Sequence, residues 1–203
     1  MFKRDKYLII KKAISPEIAK FLSNYLSLKK QVLETYIKQR FIPPGALEFG
    51  TFSDGQVNES YSIYGATAFD VLLEKLVPLI SKTIGVKIIP TYTYARSYQR
   101  GAVLHKHKDR SSCDISATLF LGGDEWPIYF SIKRKKIKID LKPGDLTLYR
   151  GGDLLHWREA FPGNYCNQVF LHYNNAEKPD RLYDTRPHLG LPTSFAKKPE
   201  NYT

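Results

Sequence analysis

The sequence has little cysteine. Of its 203 residues only two, Cys113 and Cys166, are cysteines. Two thiols cannot form the cross-links of a disulfide-stapled domain, and they are too few for a structural zinc site. We therefore expect a chain that folds around a hydrophobic core in a reducing compartment, cytoplasmic or otherwise intracellular.

Long apolar runs are also absent. The N-terminal stretch MFKRDKYLIIKKAI has the basic start of a secretory signal, but its apolar run, YLII, is too short and is followed by lysines. No segment reaches the length that a membrane-spanning helix needs. The sequence therefore predicts no membrane partner.

Acidic residues are outnumbered by basic ones, 20 to 31, which gives a net charge of +11. This excess favours an anionic partner, such as nucleic acid or an acidic small molecule, but it does not identify a site. The densest basic run, IKRKKIKID at residues 132–140, is typical of a solvated hairpin. A binding patch remains the alternative.

Two helices are predicted in the first part of the chain. Ser15, Pro16 and Glu17 form a helix start, with a serine N-cap, a proline in the first turn and an early acid. A second helix is predicted from about Ala66 to Thr83, before Gly85. Apolar residues recur with helical spacing in the first helix and should bury it: Ile18, Phe21, Leu22, Tyr25 and Leu26.

Residues 41–64, between these helices, have no clear period. The stretch FIPPGALEFGTFSDGQVNESYSIY is rich in glycine, proline and aromatic residues. Irregular stretches of this length are often lids or binding loops, although some are ordinary surface connections. The sequence predicts a possible lid and leaves both interpretations open.

From Val86 onward the hydrophobic period is two, which indicates β-strands. Eight candidate strands follow: KIIPTYTYARSYQ, AVLHKH, ISATLFL, PIYFSIK, KIKIDL, LTLYR, LLHW and NQVFLHYN. They predict an α+β protein, mainly β, with a double-stranded β-helix, the cupin-like jelly roll, on N-terminal supporting helices. We expect one domain over 1–203: helical support and possible lid in about 1–85, jelly roll in about 86–175, and a C-terminal tail in 176–203.

The cluster LHKHKDR, residues 104–110, carries metal-binding residue types. If this stretch is extended, His105, His107 and Asp109 point to one face, because strand side chains alternate. Two histidines and one carboxylate on one face bind iron(II) and leave positions open for a co-substrate and oxygen. The H-x-D pair of His107 and Asp109 supplies two of these ligands, so a later ligand is needed.

A later segment contains a suitable histidine. KPGDLTLYRGGDLLHWR, residues 142–158, has a Pro-Gly-Asp turn, an apolar strand, a Gly-Gly turn and then His156. Together with SYQRGAVLHKHKD, it resembles the Fe(II)- and 2-oxoglutarate-dependent oxygenases, particularly the prolyl 4-hydroxylase-like branch. The matching positions keep the family's order and spacing over about residues 88–174: Tyr98, Gly101, His107, Asp109, LGGDEWPIYF, Pro143-Gly144-Asp145 and His156.

The resemblance implies both a reaction and its ligands. His107, Asp109 and His156 would be the catalytic residues that bind Fe(II), and 2-oxoglutarate and O2 would take the remaining positions, with ascorbate as a possible further cofactor. The implied reaction hydroxylates a peptidyl residue, such as proline, or a small molecule, with release of succinate and CO2. The substrate itself, a protein or a small molecule, is not identified by the sequence.

The sequence departs from the family where the far carboxylate of 2-oxoglutarate is held. Many members carry an arginine or lysine after the distal histidine, at the position that Cys166 occupies here. Arg158, on the same strand face as His156, is the first candidate, and Arg96 is the second. Tyr98, a position matched in the family, is also expected in the co-substrate pocket. Gln168 and His172 share one face of the last strand and could line the pocket, with packing as the favoured role for each.

Two other functions remain open at this point. A cupin-like metal-binding protein or non-redox metalloenzyme would use His105, His107 and His156, although the glutamate expected after H-x-H is missing. A basic nucleic-acid-binding module is suggested by charge alone. His105 could support the pocket edge, lie exposed, or replace His107 as a ligand.

Overall fold

Two antiparallel sheets form the centre of the fold in a computed structural model, which describes residues 2–42, 47–52, 54–57, 59–110 and 113–177. The elements, with a 3₁₀ turn at Leu47–Phe49, are α1 (Phe2–Asp5), β1 (Tyr7–Ile10), α2 (Pro16–Lys38), β2 (Tyr61–Tyr64), α3 (Thr67–Ile84), β3 (Ile88–Gln99), β4 (Leu104–His107), β5 (Ile115–Gly123), β6 (Ile128–Ile132), β7 (Lys135–Ile139), β8 (Leu146–Tyr149), β9 (His156–Arg158) and β10 (Tyr165–Asn175).

The larger sheet has six strands in the order β1-β8-β5-β10-β3-β2, and the smaller has four in the order β4-β9-β6-β7. Sequence neighbours often lie in different sheets or are separated by other strands, as the winding of a jelly roll requires. The predicted double-stranded β-helix with N-terminal helices is therefore confirmed, and all eight predicted strands are present.

The core has two layers, because side chains on the large sheet alternate between its faces. Residues such as Ala95, Leu119 and Leu171 belong to the cluster that packs α2 and α3 against this sheet. Residues such as Tyr98 and Phe120 belong to a second cluster, which lies between the two sheets. The helices thus cover the outer face of the large sheet and leave its inner face for a site.

The start of α2 agrees with the prediction, whereas its buried face agrees only in part, since Leu22 and Leu26 are buried as expected. The Ser15 side chain caps the helix by accepting a hydrogen bond from the Ile18 amide. The side chains of Ile18 and Phe21, expected to be buried, are 47% and 69% exposed. The buried stripe is rotated towards a neighbouring set of residues: Ala19, Leu22, Ser23, Leu26 and Leu33. The helix docks through small residues as well as leucines, which an apolar pattern does not reveal.

Two strands, β1 and β2, were not predicted. β1 is a four-residue edge strand that pairs with β8. β2 pairs with β3 and lies at the end of the stretch 41–64 that showed no period. Residues 43–46, 53 and 58 of that stretch lie outside the described residues. The possible lid therefore remains a prediction for the part before β2.

The remaining expectations concern the ends and the charged hairpin. The basic run at residues 132–140 forms the β6–β7 hairpin, and Lys133 and Arg134 adopt positive φ at its turn. Most of the predicted tail, from residue 178 onward, lies outside the described residues. Among the helices that are described, none is long and apolar enough to cross a membrane.

Replacing Asn167 with alanine should destabilise the fold. The buried Nδ2 of Asn167 on β10 donates to the backbone oxygen and hydroxyl of Ser23 and to the hydroxyl of Ser27, at 2.9–3.1 Å. These bonds fix α2 to the sheet, and leaving buried groups unpaired costs about 1–3 kcal/mol. Chemical denaturation of Asn167→Ala measures the loss.

The matched control is Asn164→Ala, because Asn164 is exposed. Its free energy of unfolding should change by about 0.5 kcal/mol or less. Equal stability losses in the two variants would contradict the assigned role of Asn167.

Candidate active site

The site forms where β4 pairs with β9. His107 lies directly opposite His156, and Leu104 lies opposite Arg158. β4 therefore has one residue more than β9 between the two pairs, which is a β-bulge. As a result, Leu104 and His107 both face the interior between the sheets, although three positions separate them.

The same bulge removes His105 from the site. The expectation that His105, His107 and Asp109 share one face of an extended strand is wrong, because β4 is bulged and ends at His107. The His105 side chain is exposed, which is one of the three alternatives left open by the sequence. Its backbone oxygen still serves the site by accepting a hydrogen bond from His107 Nδ1 at 2.8 Å.

The structure brings His107, Asp109 and His156 together. One ligand atom from each lies within 4.8 Å of the other two. Asp109 Oδ1 lies 3.4 Å from His156 Nε2 and 3.7 Å from His107 Nε2. Atoms that bind one metal ion at about 2 Å are separated by similar distances, so this donor set fits a small divalent cation.

Both histidines are held in the form that binds metal. His107 Nδ1 contacts the His105 backbone oxygen, and His156 Nδ1 contacts the Leu154 backbone oxygen, each at 2.8 Å. A carbonyl only accepts hydrogen bonds, so each Nδ1 carries a proton, and in the neutral ring Nε2 is then the nitrogen that can bind a metal. Burial, reinforced by the neighbouring His156, also lowers the pKa of His107.

Asp109 is held as a carboxylate. Its backbone amide donates to the Gly151 oxygen at 2.9 Å, and the Ser116 hydroxyl donates to Oδ2 at 2.5 Å. Burial by itself would raise the pKa of Asp109, but interactions with His156, His172 and Ser116 outweigh it, and the pKa is lowered. Oδ2 is thus occupied by Ser116, and Oδ1 faces the histidines.

Gly151 makes room for this carboxylate. A Cβ atom at position 151 would overlap Asp109 Oδ2 and Ser116 Oγ. At Gly152 the nearest atom to such a Cβ is the Asp109 backbone oxygen, at 3.9 Å, which is an ordinary contact. The Gly-Gly turn was interpreted from the sequence only as a turn, but its first glycine also shapes the metal site.

A cavity of about 450 Å³ opens onto the three ligands. It lies mainly on the inner face of the large sheet, against the second core cluster. Besides the ligands, its lining includes aromatic, cationic and polar residues: Asp54, Gln56, Tyr64, Tyr92, Tyr94, Arg96, Tyr98, Lys108, Arg110, Cys113, Tyr149, Phe170 and His172. This volume suits a small co-substrate together with part of a larger substrate.

Arg96 and Tyr98, two of the predicted co-substrate residues, line this cavity. The Arg96 guanidinium is buried and donates to Tyr98 Oη at 3.1 Å and Tyr94 Oη at 3.0 Å. It also forms an ion pair with Asp54 Oδ2 at 2.5 Å and a hydrogen bond to Gln56 at 3.2 Å. The charge of Arg96 is therefore already neutralised by a carboxylate of this chain.

Arg158 is in the opposite situation. It is 1% exposed and lies behind the cavity lining, over the ring of Trp126 with a separation of 5.1 Å. One nitrogen donates to the Trp126 backbone oxygen, but Nε and Nη2 have no hydrogen-bond partner among the described residues. Burial lowers the pKa of Arg158. A buried guanidinium without an anionic partner is costly, so this arrangement favours a bound anion.

Gln168, the fourth predicted co-substrate residue, is buried in the large sheet. Its register on β10 places it opposite Arg96 on β3 and Phe120 on β5. Its Nε2 contacts Cys166 Sγ at 3.2 Å, whereas its Oε1 has no partner among the described residues. Gln168 does not line the cavity, so both packing and ligand contact remain possible roles for it.

Sequence reasoning missed several residues of the site. Ser116 and Gly151, which hold Asp109, gave only strand and turn signals. Asp54, which neutralises Arg96, lies in a stretch without a period. Tyr149, whose ring lies 4.8 Å from that of His156, was part of an apolar strand. Each of them acts on a residue that is distant in the sequence, and a local sequence pattern gives no signal of such a contact.

Comparison with known proteins gives a result for the fold alone. No family model and no curated protein matches the sequence. A prolyl 4-hydroxylase from Pseudomonas putida superposes with a TM-score of 0.63 and 11% identity, covering 86% of this chain and 95% of that one. A prolyl hydroxylase from Trichoplax adhaerens, in complex with a hypoxia-inducible-factor peptide, superposes with a TM-score of 0.60 and 15% identity. The superposition covers 88% of this chain and 88% of that one. The chain has the fold of these hydroxylases.

HygX from Streptomyces hygroscopicus, solved with nickel and 2-oxoglutarate, is also similar. It gives a TM-score of 0.59 at 9% identity, with 86% of this chain and 85% of that one covered. The His-Asp-His cluster of this chain is a group that could hold a metal ion.

Replacing any one of His107, Asp109 and His156 with alanine should abolish measurable binding of Ni(II), used as a redox-inert probe in calorimetry. The three donor atoms converge on one point. The other coordination positions of such a centre are not filled by the protein, so no protein ligand replaces one that is removed. His105→Ala should keep wild-type affinity, because its side chain is exposed. The opposite pattern, with His105 essential and His107 dispensable, would refute this ligand set.

Gly151→Ala should weaken Ni(II) binding by about 10- to 100-fold, since the new methyl group displaces the carboxylate that Ser116 orients. Gly152→Ala is the matched control and should bind Ni(II) normally. Thermal unfolding of both variants separates a local effect from a loss of folding. Equal Ni(II) affinities in the two folded variants would show that position 151 tolerates a side chain.

Proposed function

We propose that this protein is an Fe(II)- and 2-oxoglutarate-dependent dioxygenase that hydroxylates a peptidyl residue or a small molecule and releases succinate and CO2. His107, Asp109 and His156 would hold the iron, with two neutral imidazoles and one carboxylate. Bound iron would supply the activation of O2, and 2-oxoglutarate would supply two electrons through its decarboxylation. Ascorbate remains a possible reductant.

The observation that carries this proposal is the buried, unneutralised Arg158 beside the ligand cluster. It lies two residues from His156 on β9, so both side chains face the interior between the sheets. The two nitrogens without partners can donate to both oxygens of one carboxylate. 2-Oxoglutarate has a second carboxylate at the far end from its keto acid, as this arrangement requires.

The neighbouring residues favour Arg158 over Arg96 for that carboxylate. Asp54 would have to leave Arg96 before a ligand could bind there, whereas no such exchange is needed at Arg158. Tyr98 lies between the two, because its hydroxyl accepts from Arg96 and its ring packs at 4.8 Å on Trp126, over which Arg158 lies. A modest rearrangement of Trp126 and Tyr98 would connect Arg158 to the cavity.

The segment around Asp54 supports the proposed lid. Asp54 and Gln56 reach from the loop before β2 to Arg96 at the cavity. A cover held by a few polar contacts can open for substrate and exclude water once closed. A second structure of HygX contains hygromycin B, and the Trichoplax hydroxylase contains a peptide. Both substrate classes therefore remain compatible with this fold.

The other two functions have less support. A cupin-like centre with three histidines needs His105, but its side chain is exposed and does not line the cavity. The nucleic-acid module rests on net charge alone, and the densest basic run forms the β6–β7 hairpin with an exposed turn, as a solvated hairpin would. Oxygenase chemistry accounts for both the ligand set and the buried arginine.

The iron-loaded protein should decarboxylate 2-oxoglutarate, measured as release of CO2 from the labelled co-substrate. Arg158→Gln should raise the KM for 2-oxoglutarate by about tenfold or more, because a charge-assisted bond contributes roughly 1.5–3 kcal/mol. Arg158→Lys should recover part of this loss.

Arg96→Gln is the matched comparison. A larger effect of Arg96→Gln than of Arg158→Gln on the KM would move the carboxylate site to Arg96. Absence of decarboxylation by a protein that binds Fe(II) would argue against the oxygenase function itself. Ni(II) affinity and thermal unfolding, measured for both variants, show whether each remains folded.

A further inference from the structure

Cys113, which has no part in the proposed reaction, lies at the wall of the cavity. Its side chain is 1% exposed to bulk solvent and belongs to the lining of the cavity that opens onto the ligands. Its Sγ lies 3.3 Å from the hydroxyl of Tyr92. The sulfur thus faces an internal space that small molecules can enter.

His172 lies in the same part of the cavity wall. It is buried on β10, lines the cavity and packs on the Tyr92 ring at 4.5 Å. Arg110 adds a cation, because its guanidinium donates to the Tyr92 hydroxyl at 3.1 Å. A thiol beside an imidazole, a hydroxyl donor and a guanidinium is in the setting that stabilises a thiolate.

The pKa directions agree with this geometry. Burial by itself would raise the pKa of the Cys113 thiol, but the interaction with His172 outweighs it and the pKa is lowered. Burial would likewise lower the pKa of His172, yet Cys113 and Asp109 raise it. Both pKa shifts have the direction that attraction between a thiolate and an imidazolium produces.

The second cysteine of the chain, Cys166, provides an internal comparison. It is fully buried, does not line the cavity, and has the Gln168 amide as its neighbour at 3.2 Å. Burial raises the pKa of its thiol. The chain thus contains two buried cysteines, of which only Cys113 combines a cavity with a thiolate-stabilising partner.

We propose that Cys113 is an oxidant-sensing modification site that reacts with hydroperoxides small enough to enter the cavity. The sulfur attacks one peroxide oxygen, an S–O bond forms and the O–O bond breaks. Sulfur loses two electrons and becomes a sulfenic acid, while the leaving oxygen departs as hydroxide from hydrogen peroxide, or as an alkoxide from an organic hydroperoxide, and is protonated to water or an alcohol. The hydroperoxide is the oxidant and the sulfur is the electron donor, so no further redox partner is needed.

The position of this site gives the modification a consequence. The Ser116 hydroxyl donates its one proton to Asp109 Oδ2. His172 Nδ1 lies 3.2 Å from the same oxygen, Ser116 Oγ, and it must therefore be the donor in that contact. Cys113 therefore contacts Tyr92 at the start of a chain of contacts that runs through His172 and Ser116 to a ligand of the proposed metal centre. An oxygen atom added to the sulfur would lie next to Tyr92, the first residue in this chain of contacts.

The test compares the two cysteines in one sample. Chelator-treated protein, free of iron so that metal-generated radicals do not contribute, is exposed to hydrogen peroxide, quenched, unfolded and alkylated. Mass spectrometry of the tryptic peptides then measures the remaining thiol at positions 113 and 166. Cys113 should lose its thiol about ten times faster than Cys166 in the folded protein. In urea-unfolded protein the two rates should converge.

His172→Gln tests the partner, because it keeps a side chain that can donate to Ser116 but removes the imidazole. It should slow oxidation of Cys113 by about fivefold or more and leave Cys166 unchanged. Equal rates for the two cysteines in the folded wild-type protein would overturn the proposal, as would an unchanged Cys113 rate in a folded His172→Gln variant. If that variant does not fold, the wild-type comparison decides alone. None of these measurements depends on turnover.

Discussion

The pairing of β4 with β9 is the constraint on which the site depends. Antiparallel pairing sets His107 opposite His156, and the bulge in β4 turns both Leu104 and His107 inward while His105 points to solvent. Without the extra residue, the alternation of side chains would place Leu104 and His107 on opposite faces of the strand. The bulge thus satisfies two demands in one short strand: an apolar contact with the core and a ligand at the metal position.

A second constraint is the cost of buried charge. The interior between the sheets contains Arg96 and Arg158, and each guanidinium needs an anion or hydrogen-bond acceptors where water is excluded. Arg96 obtains a carboxylate from Asp54. Arg158 has one backbone acceptor among the described residues. A bound dicarboxylate would supply the anion that Arg158 lacks among the described residues.

The outer part of the cavity has a different chemistry from the metal centre. Tyr64 packs on Tyr94 at 4.3 Å, and Tyr94 packs on Phe170 at 5.9 Å, so one wall is largely aromatic. Cys113 and His172 line the same cavity, and His172 is two contacts from Asp109, through Ser116. Substrate binding, lid closure and thiol chemistry would therefore share one space, which connects the occupancy of the cavity with the state of the ligand Asp109.

Much of the fold and the ligand set was determined locally by the sequence. The Ser15 cap, the Gly85 helix end and the period of two from Val86 specify helices and strands through interactions between near neighbours, and the His107–Asp109 spacing with a later His156 indicated a metal site. Tertiary structure alone decided which faces of those elements are buried, as the exposed Ile18, Phe21 and His105 illustrate. It also decided the support of Asp109 by Ser116 and Gly151 and the neutralisation of Arg96 by Asp54. These depend on bulges, strand register and contacts between residues distant in sequence, and such features are set by the packing of the whole chain.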